Sequence, residues 1–284
     1  MSRKLAIRLV GAPLLLAALG AILVWGGRSG LTLLLVAVSA VCSLELHAMF
    51  ALKGIPTARV VGTVVAAALP LSIVYLPAGD GRHALAAWPA AALSLFVVIY
   101  ALVKLVARPA RFTPEAAGAT VLTTLYVGLI SLVLVPPAPS VVPLWYLVFL
   151  VATGKGSDMA AFAAGKAFGR HKMAPLVSPN KTWEGGIAGA VAGTLAGVAV
   201  LRLTSLNGAY CRVPIAALLA FSLLVTIAGQ VGDLVKSAIK RWAGVKDSGR
   251  LLPEFGGMLD MADSFLLGVP VAYAGSRLLF AVFG

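Results

Sequence analysis

The chain has 284 residues, of which 60% are hydrophobic and only 12% charged. Soluble globular domains carry about 25% charged residues, and a water-soluble fold of this length has no interior large enough to hide so much apolar side chain, whereas a bilayer solvates it. The net charge of +13, from 23 Lys and Arg against 10 Asp and Glu, then reads as basic cytoplasmic loops beside anionic headgroups, which removes nucleic acid as the explanation.

Apolar runs long enough to cross ~30 Å of hydrocarbon number about nine. They fall near 7–25, 31–52, 60–76, 84–107, 114–136, 141–154, 185–203, 213–235 and 264–283. The fold class expected is therefore all-α, a polytopic integral membrane protein. Arg3, Lys4 and Arg8 ahead of the first run imitate a secretory signal, but a second span follows at once, which favours a retained helix. The sixth run is short and meets Gly154-Lys155-Gly156-Ser157-Asp158, so it is expected to break at the membrane surface. Threading nine alternating spans with the N-terminus inside leaves only Arg28, Arg82, Arg202, Arg212 and Arg277 away from the cytoplasmic side. That bias predicts N-terminus in and C-terminus out.

Acidic residues divide the chain. Residues before Gly154 include only Glu45, Asp80 and Glu115, whereas Asp158, Glu184, Asp233, Asp247, Glu254, Asp260 and Asp263 crowd the second half. Residues 1–112 read as scaffold and lipid-cavity wall, and 113–284 as a catalytic core with cytoplasmic loops 155–184 and 236–262. Glu45, inside the second span, is expected to be hydrogen-bonded in the bundle or to line the lipid cavity.

Three polar clusters could do chemistry. In the first, Ser178-Pro179-Asn180-Lys181-Thr182-Trp183-Glu184, Ser178 is a candidate helix N-cap with Pro179 in the first turn. The free N–H groups of that helix, with Lys181 and Thr182, would make a phosphate site; an ordinary basic loop before a capped helix fits the same residues. Gly185, Gly186 and Gly189 point to close helix packing. In the second cluster Gln230, Asp233, Ser237 and Lys240 recur at three- and four-residue steps and share one helix face. An acid at that depth is a functional candidate, although an ion pair of Asp233 with Lys236 or Lys240 could equally seal a helix end. The third cluster runs from Lys246-Asp247-Ser248-Gly249-Arg250 through Gly256-Gly257 to Asp260 and Asp263. Carboxylates gathered near one another repel unless a cation lies between them, and an all-oxygen set suits Mg²⁺. His47, His83 and His171 are scattered, which argues against zinc. Carboxylates, several Lys and Arg and a helix N-terminus together describe a metal-assisted phosphoryl or nucleotidyl site.

The stretch from Ser237 to Asp263 resembles the signature of the CDP-diacylglycerol synthase (phosphatidate cytidylyltransferase) family. That signature runs Ser, two residues, Lys-Arg, four residues, Lys-Asp, then Pro, His-Gly-Gly and Asp-Arg-x-Asp. Ser237, Lys240, Arg241, Lys246, Asp247, Gly249, Leu252, Pro253, Gly256, Gly257, Asp260 and Asp263 match it in type and spacing. Ser157-Asp158 and Ser178 to Gly185 also look like family motifs, so the resemblance spans residues 115–284. Two positions depart from the pattern: Phe255 stands in place of His, and Met261 in place of Arg.

The resemblance implies transfer of the cytidylyl group of CTP to phosphatidate, giving CDP-diacylglycerol and pyrophosphate for phospholipid biosynthesis. It implies Mg²⁺ at Asp233, Asp260 and Asp263, and a second, monovalent cation (K⁺) sharing Asp260 or Asp263. Catalytic roles would fall to Asp233, Lys240, Arg241, Asp260 and Asp263, and nucleotide binding to Ser178, Lys181, Thr182, Ser237, Lys246 and Arg250. The partners implied are phosphatidate, CTP and membrane lipids, in the bacterial inner membrane with the site facing the cytoplasm, with a homodimer as one admissible assembly. The alternatives are an inactive or altered-substrate homologue, motivated by Phe255 and Met261, another CTP-using lipid-phosphate enzyme, or a transporter.

Overall fold

In hydrocarbon a backbone has no water to bond to, so an apolar chain satisfies its own peptide groups by coiling into helices. The computed structural model describes residues 3–75, 87–108, 110–135, 143–204, 210–249 and 256–283. In chain order these form α1 (Arg3–Leu52), α2 (Arg59–Tyr75), α3 (Ala87–Ala107) and α4 (Pro114–Gly128), the last continued by a 3-10 turn, Leu129–Leu134. Then come α5 (Pro143–Phe168), the strands β1 (Lys172–Ala174) and β2 (Ser178–Thr182), α6 (Trp183–Thr204), α7 (Ile215–Ala243) and α8 (Met258–Phe283). Among the described residues six helices are long and apolar enough to cross a bilayer, namely Gly26–Leu52, Pro114–Leu134, Trp145–Phe168, Trp183–Leu203, Ile215–Ala243 and Met258–Phe283. Arg59–Val74 and Ala91–Ala107 are shorter apolar helices. The protein is an all-α membrane protein, and the described residues add one small antiparallel hairpin, in which Lys172 pairs with Thr182 and Ala174 with Ser178.

The boundary expected between the first two apolar runs is present inside α1. Gly27 leaves the helical region there, at φ 52 and ψ −138, a conformation that a residue with a Cβ rarely adopts. The break expected at Gly154 is absent: α5 runs on to Phe168. Its glycines serve contact instead, since a Cβ on Gly154 would lie 3.1 Å from Ser264 Oγ and one on Gly156 3.5 Å from Ala196 Cβ. Much of the expected 155–184 loop is therefore helix, and so are the two ends of 236–262, in α7 and α8.

The chain resolves into two compact units. One comprises Met1–Leu134 with Val245–Met261. In it α2 packs on α1, α3 and α4, and polar links hold the α1–α2 connection against α1 and α4: His47 Nδ1 lies 2.8 Å from Thr57 Oγ1, and the Ala58 N–H donates to Thr120 Oγ1 at 3.0 Å. Thr113 caps α4 by accepting from the Ala116 N–H, with Pro114 at the start of the helix, as the geometry of an N-terminus favours.

The other unit comprises Val135–Gly244 with Ala262–Gly284. Its organising contact is α5 against α6. Gly185, Gly189 and Gly193, four residues apart on α6, face the carbonyls of Ala161, Ser157 and Thr153 on α5; an added Cβ would lie 2.7, 2.8 and 2.7 Å from those oxygens. Small residues on one stripe let two helix backbones approach this closely, as the sequence led us to expect for Gly185 and Gly189.

Candidate active site

The α7 stripe is what three- and four-residue spacing predicts. Gln230 donates from Nε2 to Ser157 Oγ at 2.9 Å and to the Gly186 carbonyl at 3.0 Å, so one side chain ties α7 to α5 and α6. A turn later, Asp233 meets two lysines. Its Oδ2 is 2.5 Å from Lys181 Nζ and its Oδ1 2.9 Å from Lys236 Nζ. Lys236 also pairs with Asp263 on α8. Its side chain is only 6% exposed, and both carboxylates lie against its ammonium group. Gly232 makes this possible: a Cβ there would lie 2.7 Å from the Asp263 carbonyl oxygen, so only glycine lets α7 approach α8 so closely at that turn.

Lys181 arrives from the hairpin. Ser178, expected as an N-cap, lies in β2 instead, and Pro179 with it. Strand pairing with Lys172–Ala174 holds this segment extended, which delays the helix to Trp183. The cap is Thr182, buried, whose Oγ1 accepts from the Gly185 N–H at 3.2 Å. Glu184 fastens the hairpin to α6: its carboxylate accepts from the His171 N–H at 3.2 Å and lies 2.7 Å from His171 Nδ1. Beside these groups opens a pocket of about 300 Å³, lined by Ser157, Asp158, Phe162, Met173, Asn180, Lys181, Thr182, Gln230 and Asp233 among others. It has the size of a small ligand site, with a mainly apolar surface and a few polar groups among its lining.

The remaining α7 candidates take different positions. Ser237 is half-buried, Lys240 is buried, and Arg241 is exposed, its Nε donating to the Val177 carbonyl at 3.3 Å. Lys246 is exposed. Arg250 and Phe255 lie outside the described residues.

Asp260 sits in the unit that holds α1. Its Oδ2 accepts from the Ser248 N–H at 2.8 Å, from Ser248 Oγ at 3.0 Å and from the Gly257 N–H at 3.4 Å. Ser248 Oγ is also 2.8 Å from Glu45 Oε2, and Glu45 accepts the N–H groups of Met258 and Leu259, each at 2.9 Å. A buried carboxylate from α1 therefore caps α8, where the helix dipole and unpaired N–H groups favour negative charge. The two glycines of the motif follow from this packing. Gly256 has φ +83, and a Cβ on Gly257 would overlap Ser248 Oγ and the Glu45 carboxylate. Glu45 and Lys236 were not among the site residues picked from the sequence. Of the two roles expected for Glu45, hydrogen bonding in the bundle is the one observed.

Among the described residues no group of three or more His, Cys, Asp or Glu side chains is arranged to hold a metal. The donors do suit Mg²⁺ in kind. Asp233 and Asp263 already share one cation, the Lys236 ammonium, and Mg²⁺ takes one or two carboxylates and completes its shell with water and phosphate oxygens.

Residues 6–279 match the model of the cytidylyltransferase family, well beyond the 115–284 that carry the motifs. The chain is 44% identical over 127 residues to the phosphatidate cytidylyltransferase of Brucella suis biovar 1 (strain 1330), covering 45% of each chain. It is 38% identical over 167 residues to that of Chlamydia pneumoniae, 56% of this chain and 54% of the relative. To that of Staphylococcus haemolyticus (strain JCSC1435) it is 33% identical over 206 residues, 72% of this chain and 75% of the relative. The Brucella match thus spans less than half the length of that relative.

Proposed function

Because the chain belongs to the cytidylyltransferase family, we propose that it transfers the cytidylyl group of CTP to phosphatidate, releasing pyrophosphate and leaving CDP-diacylglycerol in the membrane. The observation that carries this reading is the charge-dense cluster that Lys181 of the hairpin makes with Asp233, Lys236 and Asp263 of otherwise apolar helices, with Lys181 and Asp233 lining a pocket. So expensive an arrangement in a membrane protein has a use.

A phosphate oxygen of phosphatidate, anionic at neutral pH, attacks the α-phosphorus of CTP; the bond from that phosphorus to the pyrophosphate oxygen breaks. No proton has to be removed from the nucleophile, so Phe255 in place of His takes nothing essential away. The barrier lies in bringing two anions together and holding charge on the leaving group. Lys181 stands at the pocket and neutralises phosphate oxygens there. Lys240, Arg241, Lys246 and Arg250 add positive charge from α7 and the segment after it, and Ser178, Thr182 and Ser237 offer hydroxyls. Asp233 and Asp263 would hold Mg²⁺, and a monovalent cation would draw on Asp260 or Asp263. The divalent ion supplies charge neutralisation on the triphosphate.

The topology proposed is nine crossings with the N-terminus in the cytoplasm and the C-terminus opposite, in the bacterial inner membrane. Support comes from the basic residues, most of which fall on one side in that threading. Purified protein incubated with labelled CTP, Mg²⁺ and phosphatidate, followed by analysis of the lipid product, tests the activity. Label appearing in CDP-diacylglycerol is the expected result, and label remaining wholly in nucleotide overturns it.

A further inference from the structure

We propose that Lys236 is a built-in counter-ion of the Asp233–Asp263 pair, so that the pair takes up a divalent metal only together with a phosphate-bearing ligand. This rests on the reading that those two carboxylates are the ones the reaction uses.

Charge counting comes first. Asp233 and Asp263 bring two negative charges, and Lys236 and Lys181, both in contact with Asp233, bring two positive ones. The cluster is neutral as it stands. A divalent ion entering alone would place two further positive charges beside two ammonium groups, one of them nearly excluded from water. Like charges at such distances in a partly desolvated site repel strongly. A phosphate-bearing ligand arriving with the metal changes the sign of the sum. Its oxygens accept the lysine ammonium groups, and the carboxylates released from the lysines become metal ligands.

Geometry makes Lys236 the controlling group. It stands three residues after Asp233 on α7 and reaches Asp263 on α8, so a single ammonium occupies the place between the carboxylates that a metal would need. Lys181 is 29% exposed and touches only one of the two. Lys236 is also a cation the motif would not lead one to seek: the family pattern carries its Arg at the position of Met261, and here the positive charge comes from α7.

The test uses full-length protein in detergent micelles with neither nucleotide nor lipid substrate, and Mn²⁺ as the paramagnetic probe. Wild-type protein and Lys236→Arg are expected to bind Mn²⁺ weakly. Lys236→Met, which removes the charge and keeps the length, is expected to bind it roughly tenfold or more tightly, from the loss of one adjacent like charge. Equal affinity in wild type and Lys236→Met, or weaker binding by the variant, overturns the proposal. Should Lys236→Met fail to fold, the wild type decides alone. A melting temperature the same in excess Mg²⁺ as in chelator supports the proposal, and a rise of several degrees with Mg²⁺ alone refutes it. Since neither measurement involves CTP or phosphatidate, failure of the proposed activity would show separately.

Discussion

Glu45 and Ser248 are 203 residues apart in sequence and 2.8 Å apart in the structure, side chain to side chain. Through Glu45, a helix that carries none of the family motifs fixes the segment that carries most of them. The carboxylate accepts two backbone N–H groups of the first turn of α8 and one hydroxyl, all in a buried place. Removing it leaves the Met258 and Leu259 N–H groups unpaired, while Ser248 Oγ keeps Asp260, and each buried unpaired donor costs about 1–3 kcal/mol. Glu45→Ala should therefore lower the melting temperature clearly, with Glu45→Gln intermediate because it keeps one acceptor. Thermal unfolding in detergent checks this; an alanine variant that melts with wild type would remove the capping role.

The same packing ranks the glycines. Gly257→Ala puts a methyl group into Ser248 Oγ and the Glu45 carboxylate, whereas Gly118 has nothing within 4 Å of the corresponding position. Gly257→Ala is expected to lose most activity and some stability, and Gly118→Ala neither. Gly256→Ala should fall between them, since its φ of +83 costs an alanine on the order of 1 kcal/mol. Turnover and melting temperature measured on the three variants decide the order.

Asp233→Asn and Asp260→Asn should each reduce turnover by about 10²-fold or more, the scale on which a lost electrostatic contact to the reacting phosphates is felt. Lys181→Ala should act more mildly, about tenfold in kcat/KM, since one partly exposed charge–phosphate contact is removed. Near-normal turnover in either Asn variant at ordinary magnesium concentration would take that carboxylate out of the mechanism.

The departures at Phe255 and Met261 give a prediction of their own. The protein as written should make CDP-diacylglycerol, and Arg250→Ala should damage synthesis more than Arg59→Ala, which removes an exposed charge outside the motif. An inert natural protein that gains synthesis on the double change Phe255→His and Met261→Arg would mean the reading of an active variant is wrong.

For topology, cysteines placed at Lys172 and Lys246 should be labelled from the same side of the membrane, the side opposite a reporter fused at the C-terminus. Labelling from opposite sides would break the nine-span threading.

What the sequence made legible follows from what is local. The helices were visible because apolar runs mark them, and the stripe from Gln230 through Asp233 because three- and four-residue spacing survives in any helix. Gly154 misled because a glycine that ends a helix and one that lets two helices touch look the same in one dimension. Ser178 misled for a related reason: its capping pattern is local, but the pairing with Lys172–Ala174 that overrides it is not. Lys236 could be read as a partner of Asp233, three residues away, yet its second partner, Asp263, lies on another helix. Glu45 was visible as an anomalous acid in a span. Its partners at Ser248, Met258 and Leu259 were not.

The glycine stripe of α6 has a consequence for motion. At Gly185, Gly189 and Gly193 the two helices meet backbone to backbone, so a shift of one along the other must climb over the carbonyls of Ala161, Ser157 and Thr153. The two helices behave as a single plate. The pocket takes Ser157, Asp158 and Phe162 from one half of that plate and Gly185 and Gly186 from the other, so this wall is expected to resist deformation when a ligand enters. Accommodation of ligands of different bulk then falls to the hairpin, through Met173, whose long unbranched chain is the adjustable part of the lining, while Lys181 is held by Asp233.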